Sequence, residues 1–152
     1  MATKVSFTKY LTKDSIMILH GQDKKSVFDQ MVARVADLAH LDRDVVSRLV
    51  WKRENMMPTG VGQGLGLPHI RVERMDEPVI LVGVCANPVA DYETQDGNPV
   101  RVIVFIAADD ADQEGYLGLL SSVSAKMRNN ALIEEILENI TKPAQILKLV
   151  KD

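Results

Sequence analysis

Cysteine is nearly missing from this chain: Cys85 is the only one among 152 residues. One thiol excludes an intrachain disulfide and any zinc site built from a cysteine cluster. Cys85 sits within an apolar run, so it reads as a small buried side chain rather than a nucleophile. A lone reduced thiol suits the cytoplasm. Aromatics are sparse, at 5%, and they do not interleave with basic residues. The net charge is −3 and there is no basic block, which argues against nucleic acid as a general partner. No run approaches the roughly 20 apolar residues that a membrane helix needs. The N-terminus lacks a basic segment followed by an apolar signal core. The expectation is a cytoplasmic protein without direct membrane insertion, forming one domain over residues 1–152. Its 46% apolar and 26% charged content fits a soluble, globular chain.

Glycine is concentrated rather than scarce. Four of nine glycines fall at every second position in Pro58-Thr59-Gly60-Val61-Gly62-Gln63-Gly64-Leu65-Gly66-Leu67-Pro68-His69. Glycines alternating with small apolar residues predict a tight loop running into a short, closely packed strand. Pro68 fixes its own φ and biases Leu67 toward extended backbone. His69 is thereby expected at a strand end, on a stiff backbone where loop-borne chemistry tends to sit. Two nucleotide readings fail on residue identity. A P-loop needs Gly-Lys-Ser/Thr, and no lysine follows these glycines. A dinucleotide fingerprint needs Gly-x-Gly-x-x-Gly, but its last position is Leu65 when counted from Gly60 and Leu67 when counted from Gly62. The blander alternative is a glycine-rich turn carrying a structural histidine.

Periodicity places the rest. Ser15 to Leu19 reads as a first strand, ending at His20-Gly21, with His20 a turn or edge residue. Val27, Met31, Val35 and Leu38 give a helix over residues 24–38, capped by Asp23 or Ser26. His40 lies just past it. Asp42 caps a second helix through Val45, Val46, Leu49 and Val50 to about Glu54. Trp51, Lys52 and Arg53 end that helix, where cations suit the dipole. Arg53 faces the glycine loop in sequence. Arg71 and Arg74 follow His69 before a turn at Asp76-Glu77-Pro78. Val79 to Ala86 and Val100 to Ala107 read as buried strands. Asp96-Gly97-Asn98-Pro99 marks the turn between them. Asp109, Asp110 and Asp112 read as helix capping, because the glycine and final glutamate of a calcium loop are absent. A helix over 112–128 has Tyr116, Leu120, Val123 and Met127 on one face, flanked by Leu117 and Leu119. A shorter helix spans 132–140, and Pro143 opens a last one. Strands and helices mixed along one chain, without repeats, give an α/β class with a sheet covered by helices.

Arg53-Glu54, Thr59-Gly60-Val61-Gly62-Gln63-Gly64 and Leu67-Pro68-His69, in that order, resemble the signature of enzyme IIA of the fructose/mannitol type. This type-2 IIA domain belongs to the bacterial sugar phosphotransferase system, and nitrogen-regulatory members share it. The resemblance runs on through Asp96-Gly97-Asn98-Pro99-Val100 to the closing helices and covers nearly the whole chain. It implies a mixed β-sheet flanked by helices. It also implies a phosphocarrier in which His69 takes a phosphoryl group from the phosphohistidine of HPr or its nitrogen-pathway homologue. The group then goes to a IIB domain or serves regulatory target proteins. The family's helix-end arginine matches Arg53, which would stabilise charge. Thr59, Gly60, Gly62 and Gly64 would support His69 or the phosphoryl oxygens, and no metal or other cofactor is implied. One position departs from the family. Relatives carry a second histidine, followed by Leu or Ile, early in the helix after the last long strand, where this chain has Gly115-Tyr116-Leu117. Tyr116 can donate a hydrogen bond but carries no charge near neutral pH. The alternative is a regulatory binding module on the same fold, with transfer impaired by Tyr116.

Overall fold

The computed structural model describes residues 6–152. Two short 3-10 turns, Phe7–Tyr10 and Lys13–Ser15, precede the first strand. The elements that follow are β1 (Ile16–Leu19), α1 (Lys24–Ala39), α2 (Arg43–Met56), β2 (Gly60–Gly62), β3 (Leu65–Gly66) and β4 (His69–Val72). Then come β5 (Val79–Val89), β6 (Val100–Asp109), α3 (Gln113–Met127), α4 (Asn130–Glu138) and α5 (Pro143–Lys151). Short polar side chains start the helices by accepting from amides that lack a helical partner. Asp23 accepts from Ser26 N, Asp42 from Asp44 N, Asp112 from Gly115 N and Asn129 from Leu132 N. α1 stops where His40 turns left-handed, at φ 56°.

The sheet is mixed, in the order β1-β5-β6-β3-β2. The β5–β6 pair is antiparallel, and β1 runs parallel to β5. β3 and β4 lie one after the other along the same side of β6, both parallel to it. Alternate residues of β5 and β6 face opposite layers. Ile80, Val82, Val84, Val102, Val104 and Ile106 join Leu119, Val123, Ile133 and Ile146 of α3, α4 and α5. Leu81, Cys85, Ile103 and Phe105 join Phe28, Met31, Val46 and Val50 of α1 and α2. A sheet buried on both faces needs the nearly continuous apolar runs that β5 and β6 carry.

Two strand ends and two buried positions differ from the periodic reading. β5 continues past Ala86 to Val89, because Val89 pairs with Val100 across a register shift. β6 likewise extends to Asp109, since Val72 of β4 pairs with it. In α3, Leu119 takes the buried stripe with Tyr116, Val123 and Met127, while Leu120 is only partly buried. Val45 is exposed rather than core. The functional consequence of the fold lies at the start of β4. There the last turn of α2, the Leu67-Pro68 link and the first turn of α3 meet.

Candidate functional site

His69 opens β4, and its ring is fixed from both nitrogens. Nδ1 lies 2.8 Å from the Leu67 carbonyl oxygen. A carbonyl only accepts, so Nδ1 carries the proton and donates it there. Nε2 is then the unprotonated nitrogen, and it accepts from Arg53 Nε at 3.2 Å. The two contacts require the same tautomer, which leaves a lone pair at Nε2. Arg53 is held in turn at the end of α2, where its Nη1 donates to the Met57 carbonyl at 3.1 Å. Burial pushes the His69 pKa below its ordinary 6.5 and the Arg53 guanidinium adds to that, against the Leu67 hydrogen bond, which raises it.

A prediction on pH follows from that balance. The imidazole of His69, titrated by proton NMR, is expected to have its midpoint below 6.5. In Arg53→Gln the midpoint rises but stays below the ordinary value, because burial is the larger cause. Any reaction of Nε2 then holds its rate from pH 7 down to the ordinary histidine range and weakens only below it. The sign for stability is the same. The folded state binds this proton less readily than the unfolded chain, so stability falls as pH drops through 6.5. A midpoint above 6.5 contradicts this account.

Glu54, the neighbour of Arg53, reaches the same imidazole by a longer route. It is 4% exposed. Its carboxylate accepts from the Thr59 amide at 2.9 and 3.1 Å and from the Thr59 hydroxyl at 2.8 and 2.9 Å. Lys24 Nζ pairs with it at 3.6 Å. Because the Thr59 hydroxyl proton goes to Glu54, the Tyr92 hydroxyl donates to Thr59 Oγ1. Burial, then the nearby Glu54 charge, hold the Tyr92 pKa well above its usual value, so it remains a donor. The Thr59 carbonyl accepts from Leu67 N at 2.9 Å. The Leu67 carbonyl, on the same residue, receives the His69 proton. Two consecutive residues of α2 thus set both sides of the ring, Arg53 directly and Glu54 through Thr59 and Leu67.

The glycine loop is a β2–β3 hairpin. Gly64, at φ 82°, lies in its turn beside Gln63 at φ 57°. Gln63 N donates to Asp96 Oδ2 at 2.8 Å, so the turn after β5 fastens the hairpin tip. The backbone passes very close at Gly60, where a Cβ would stand 2.2 Å from the Glu93 carbonyl oxygen. Gly62 pairs with Leu65. Leu65 aligns with Val102 and His69 with Ile106, so four residues of strand, on the order of 13 Å, separate the β3 start from the imidazole. The structure therefore places Thr59 in the chain of contacts to His69. It places Gly60, Gly62 and Gly64 in the hairpin, where they bring Thr59 and Leu67 together.

Tyr116 enters from the first turn of α3 and is 8% exposed. Its ring centroid stands 5.8 Å from that of His69, tilted by 55°. Burial raises its hydroxyl pKa, and Arg53 and Arg71 oppose that rise. The Arg71 guanidinium lies over the same ring, 5.3 Å from its centroid. Sequence reasoning named Arg53, His69, Thr59 and Tyr116 but assigned nothing to Lys24 or Tyr92. Their partners are distant in sequence and no local pattern announces them. Among the described residues, no group of three or more His, Cys, Asp or Glu side chains could hold a metal. None of their helices is long and apolar enough to cross a membrane.

Known proteins resemble the chain over nearly its whole length. The family model described as "Phosphoenolpyruvate-dependent sugar phosphotransferase system, EIIA 2" matches residues 9–152. The chain is 29% identical over 144 residues to the fructose-specific EIIABC component of Bacillus subtilis, covering 93% of this chain but only 22% of that protein. It is 28% identical over 139 residues to a nitrogen regulatory protein of Pseudomonas aeruginosa, covering 91% of this chain and 89% of the relative. The crystal structure of the nitrogen regulatory protein IIA-Ntr from Neisseria meningitidis superposes with a TM-score of 0.84 at 21% identity, over 94% of this chain and 97% of that one. The histidine and the helix end that fixes it lie well inside the matched span, and the chain belongs to the EIIA 2 family of the phosphoenolpyruvate-dependent sugar phosphotransferase system.

Proposed function

We propose that the protein is a phosphohistidine carrier, accepting a phosphoryl group on Nε2 of His69. The observation that carries this reading is the tautomer. Nδ1–H is spent on the Leu67 carbonyl, so the only nucleophilic lone pair of the ring is at Nε2, beside Arg53. A neutral imidazole is a competent nucleophile, and the depressed pKa keeps it neutral at pH 7. Phosphoryl transfer asks the protein mainly for positioning and cationic stabilisation of a loose transition state. Arg53 supplies the cation, and the Glu54–Thr59–Leu67 contacts supply the positioning. The donor is the phosphohistidine of HPr or its nitrogen-pathway homologue, and the reaction takes place in the cytoplasm without a cofactor. Met56 and Met57 at the end of α2 and Leu117 on α3 are 75%, 63% and 52% exposed, on the two helices that deliver Arg53 and Tyr116. They offer an apolar surface for such a partner. The recipient is a IIB domain in sugar transport or a regulatory target in nitrogen control.

A second reading has one observation in its favour. Tyr116 brings an uncharged ring against His69 where the family resemblance implies a histidine, which suits a binding module with impaired transfer. One experiment separates the two. The protein is incubated with phosphoenolpyruvate, enzyme I and HPr, and in parallel with the nitrogen-pathway donors. The carrier reading expects one acid-labile phosphate by intact mass and a phosphorus resonance of an Nε2-linked phosphohistidine. The preferred donor set then assigns the branch. Folded protein that stays unphosphorylated with both sets removes the carrier reading and leaves the binding module.

A further inference from the structure

Arg71 is the cation at this site that the proposed reaction leaves without a task. It stands two residues after His69 on β4, so both side chains leave the strand on the same side. The burial pattern agrees, with Ile70 and Val72 buried and His69 and Arg71 half-buried. Two contacts hold its guanidinium. Nη2 donates to the Asp110 carbonyl at 2.6 Å, and Cζ lies 5.3 Å from the centroid of the Tyr116 ring, which itself meets the His69 ring at 5.8 Å. Its Nε is buried, and among the described residues it has no hydrogen-bond partner. A buried N–H without an acceptor is costly, and sites that keep one are often functional.

Resting on the reading of His69 as the phosphoryl acceptor, we infer that Arg71 is a second phosphoryl-binding residue, holding the phosphoryl oxygens together with Arg53. The second positive charge of the site is supplied from strand β4, with the Tyr116 ring beneath the Arg71 guanidinium. In the step, the Nε2 lone pair forms the new N–P bond. The bond from phosphorus to the donor imidazole breaks, and its electron pair stays on the donor nitrogen. The proton stays on Nδ1, still donated to the Leu67 carbonyl, so no proton moves at His69. Arg53 Nε gives up Nε2 and turns to a phosphoryl oxygen. Arg71 offers its free Nε–H and the planar donor array that suits phosphate.

Single-turnover transfer from phosphorylated HPr, or from the nitrogen-pathway donor if that is preferred, tests this. The arms are the wild type, R71Q, R71K and the double variant R71Q/Y116H, with melting and the phosphorus resonance of the phosphohistidine followed beside the rates. R71Q is expected to slow transfer on the order of 10²-fold, the loss typical of one fixed donor to a developing charge. R71K falls between, since a point charge keeps the sign but not the fork. The double variant regains at least about tenfold over R71Q, because an imidazolium returns charge to the same space. The resonance shifts in R71Q. Wild-type rate and resonance in folded R71Q overturn the role of Arg71 alone. So does slow transfer in R71Q with neither rescue nor shift, which makes the residue structural. If R71Q does not fold, R71K decides on the same two readouts. A wild type that takes no phosphate from either donor removes the carrier reading, and this inference with it.

Discussion

A His69→Ala chain is expected to take up no phosphate from either donor set, while remaining folded. The loss is complete because no other nitrogen of the site can stand in. Arg53 and Arg71 are cations without a lone pair, and Tyr116 holds its proton because burial raises its pKa. His20 and His40, the remaining histidines, are exposed and lie away from the site, His40 as the cap of α1. The stability effect is small by comparison. The variant loses the hydrogen bond to the Leu67 carbonyl, worth about 1 kcal/mol. Against that, it no longer has to bury an imidazole beside a guanidinium. Melting is expected to move by roughly 2–4 °C, the scale for 1 kcal/mol in a chain of this size. Intact mass after incubation, with and without acid treatment, is the check. Full acid-labile phosphate on the variant would place the acceptor elsewhere and dismantle the site as described.

Glu54→Ala is expected to give the largest loss of stability of any change in the site. Its carboxylate satisfies the Thr59 amide and hydroxyl and faces Lys24, whose side chain is only 13% exposed. Truncation leaves that ammonium without its partner and two buried donors without an acceptor. Breaking a buried pair from one side costs about 3–5 kcal/mol. For a chain of this length that is a fall in melting temperature of roughly 6–20 °C. Glu54→Gln keeps one acceptor oxygen for Thr59 but loses the charge and the second acceptor, so it is expected to cost less than Glu54→Ala. Function follows stability here, because Thr59 carries the Leu67 backbone that orients His69. Transfer in Glu54→Gln should slow, because the Leu67 carbonyl that orients His69 is held less firmly. A Glu54→Ala protein within about 1 kcal/mol of wild type would mean that the carboxylate is not what holds the loop.

The sequence made some of this legible and hid the rest for physical reasons. Helix starts were readable because Asp23, Asp42 and Asp112 cap amides within three residues of themselves. The cores of β5 and β6 were readable because both faces are buried and both must be apolar. Their far ends were not, since Val89 belongs to a strand only through its partner Val100. The order Arg53…Pro68-His69 was recognisable as a family pattern. That Arg53 touches Nε2, and that Glu54 acts through Thr59, are facts of folding across a hairpin. Asp96 was readable as a turn residue, but its role of fastening the Gln63 amide joins positions 33 apart. The face of α3 that carries Tyr116 was readable from helical register, while its place between His69 and Arg71 depends on β4 arriving alongside.

The two long strands, β5 and β6, are each flanked by neighbours on both sides, whereas the outer strands β1, β2 and β4 have four, three and four residues. Unpaired strand edges are templates on which a second copy can add, and short ones offer little to build on. Proteins that pass a group on by collision must meet many partners and release each one, which demands a high concentration without self-association. In this chain the segments with the greatest tendency to aggregate are shut inside the sheet, so crowding has little to act upon.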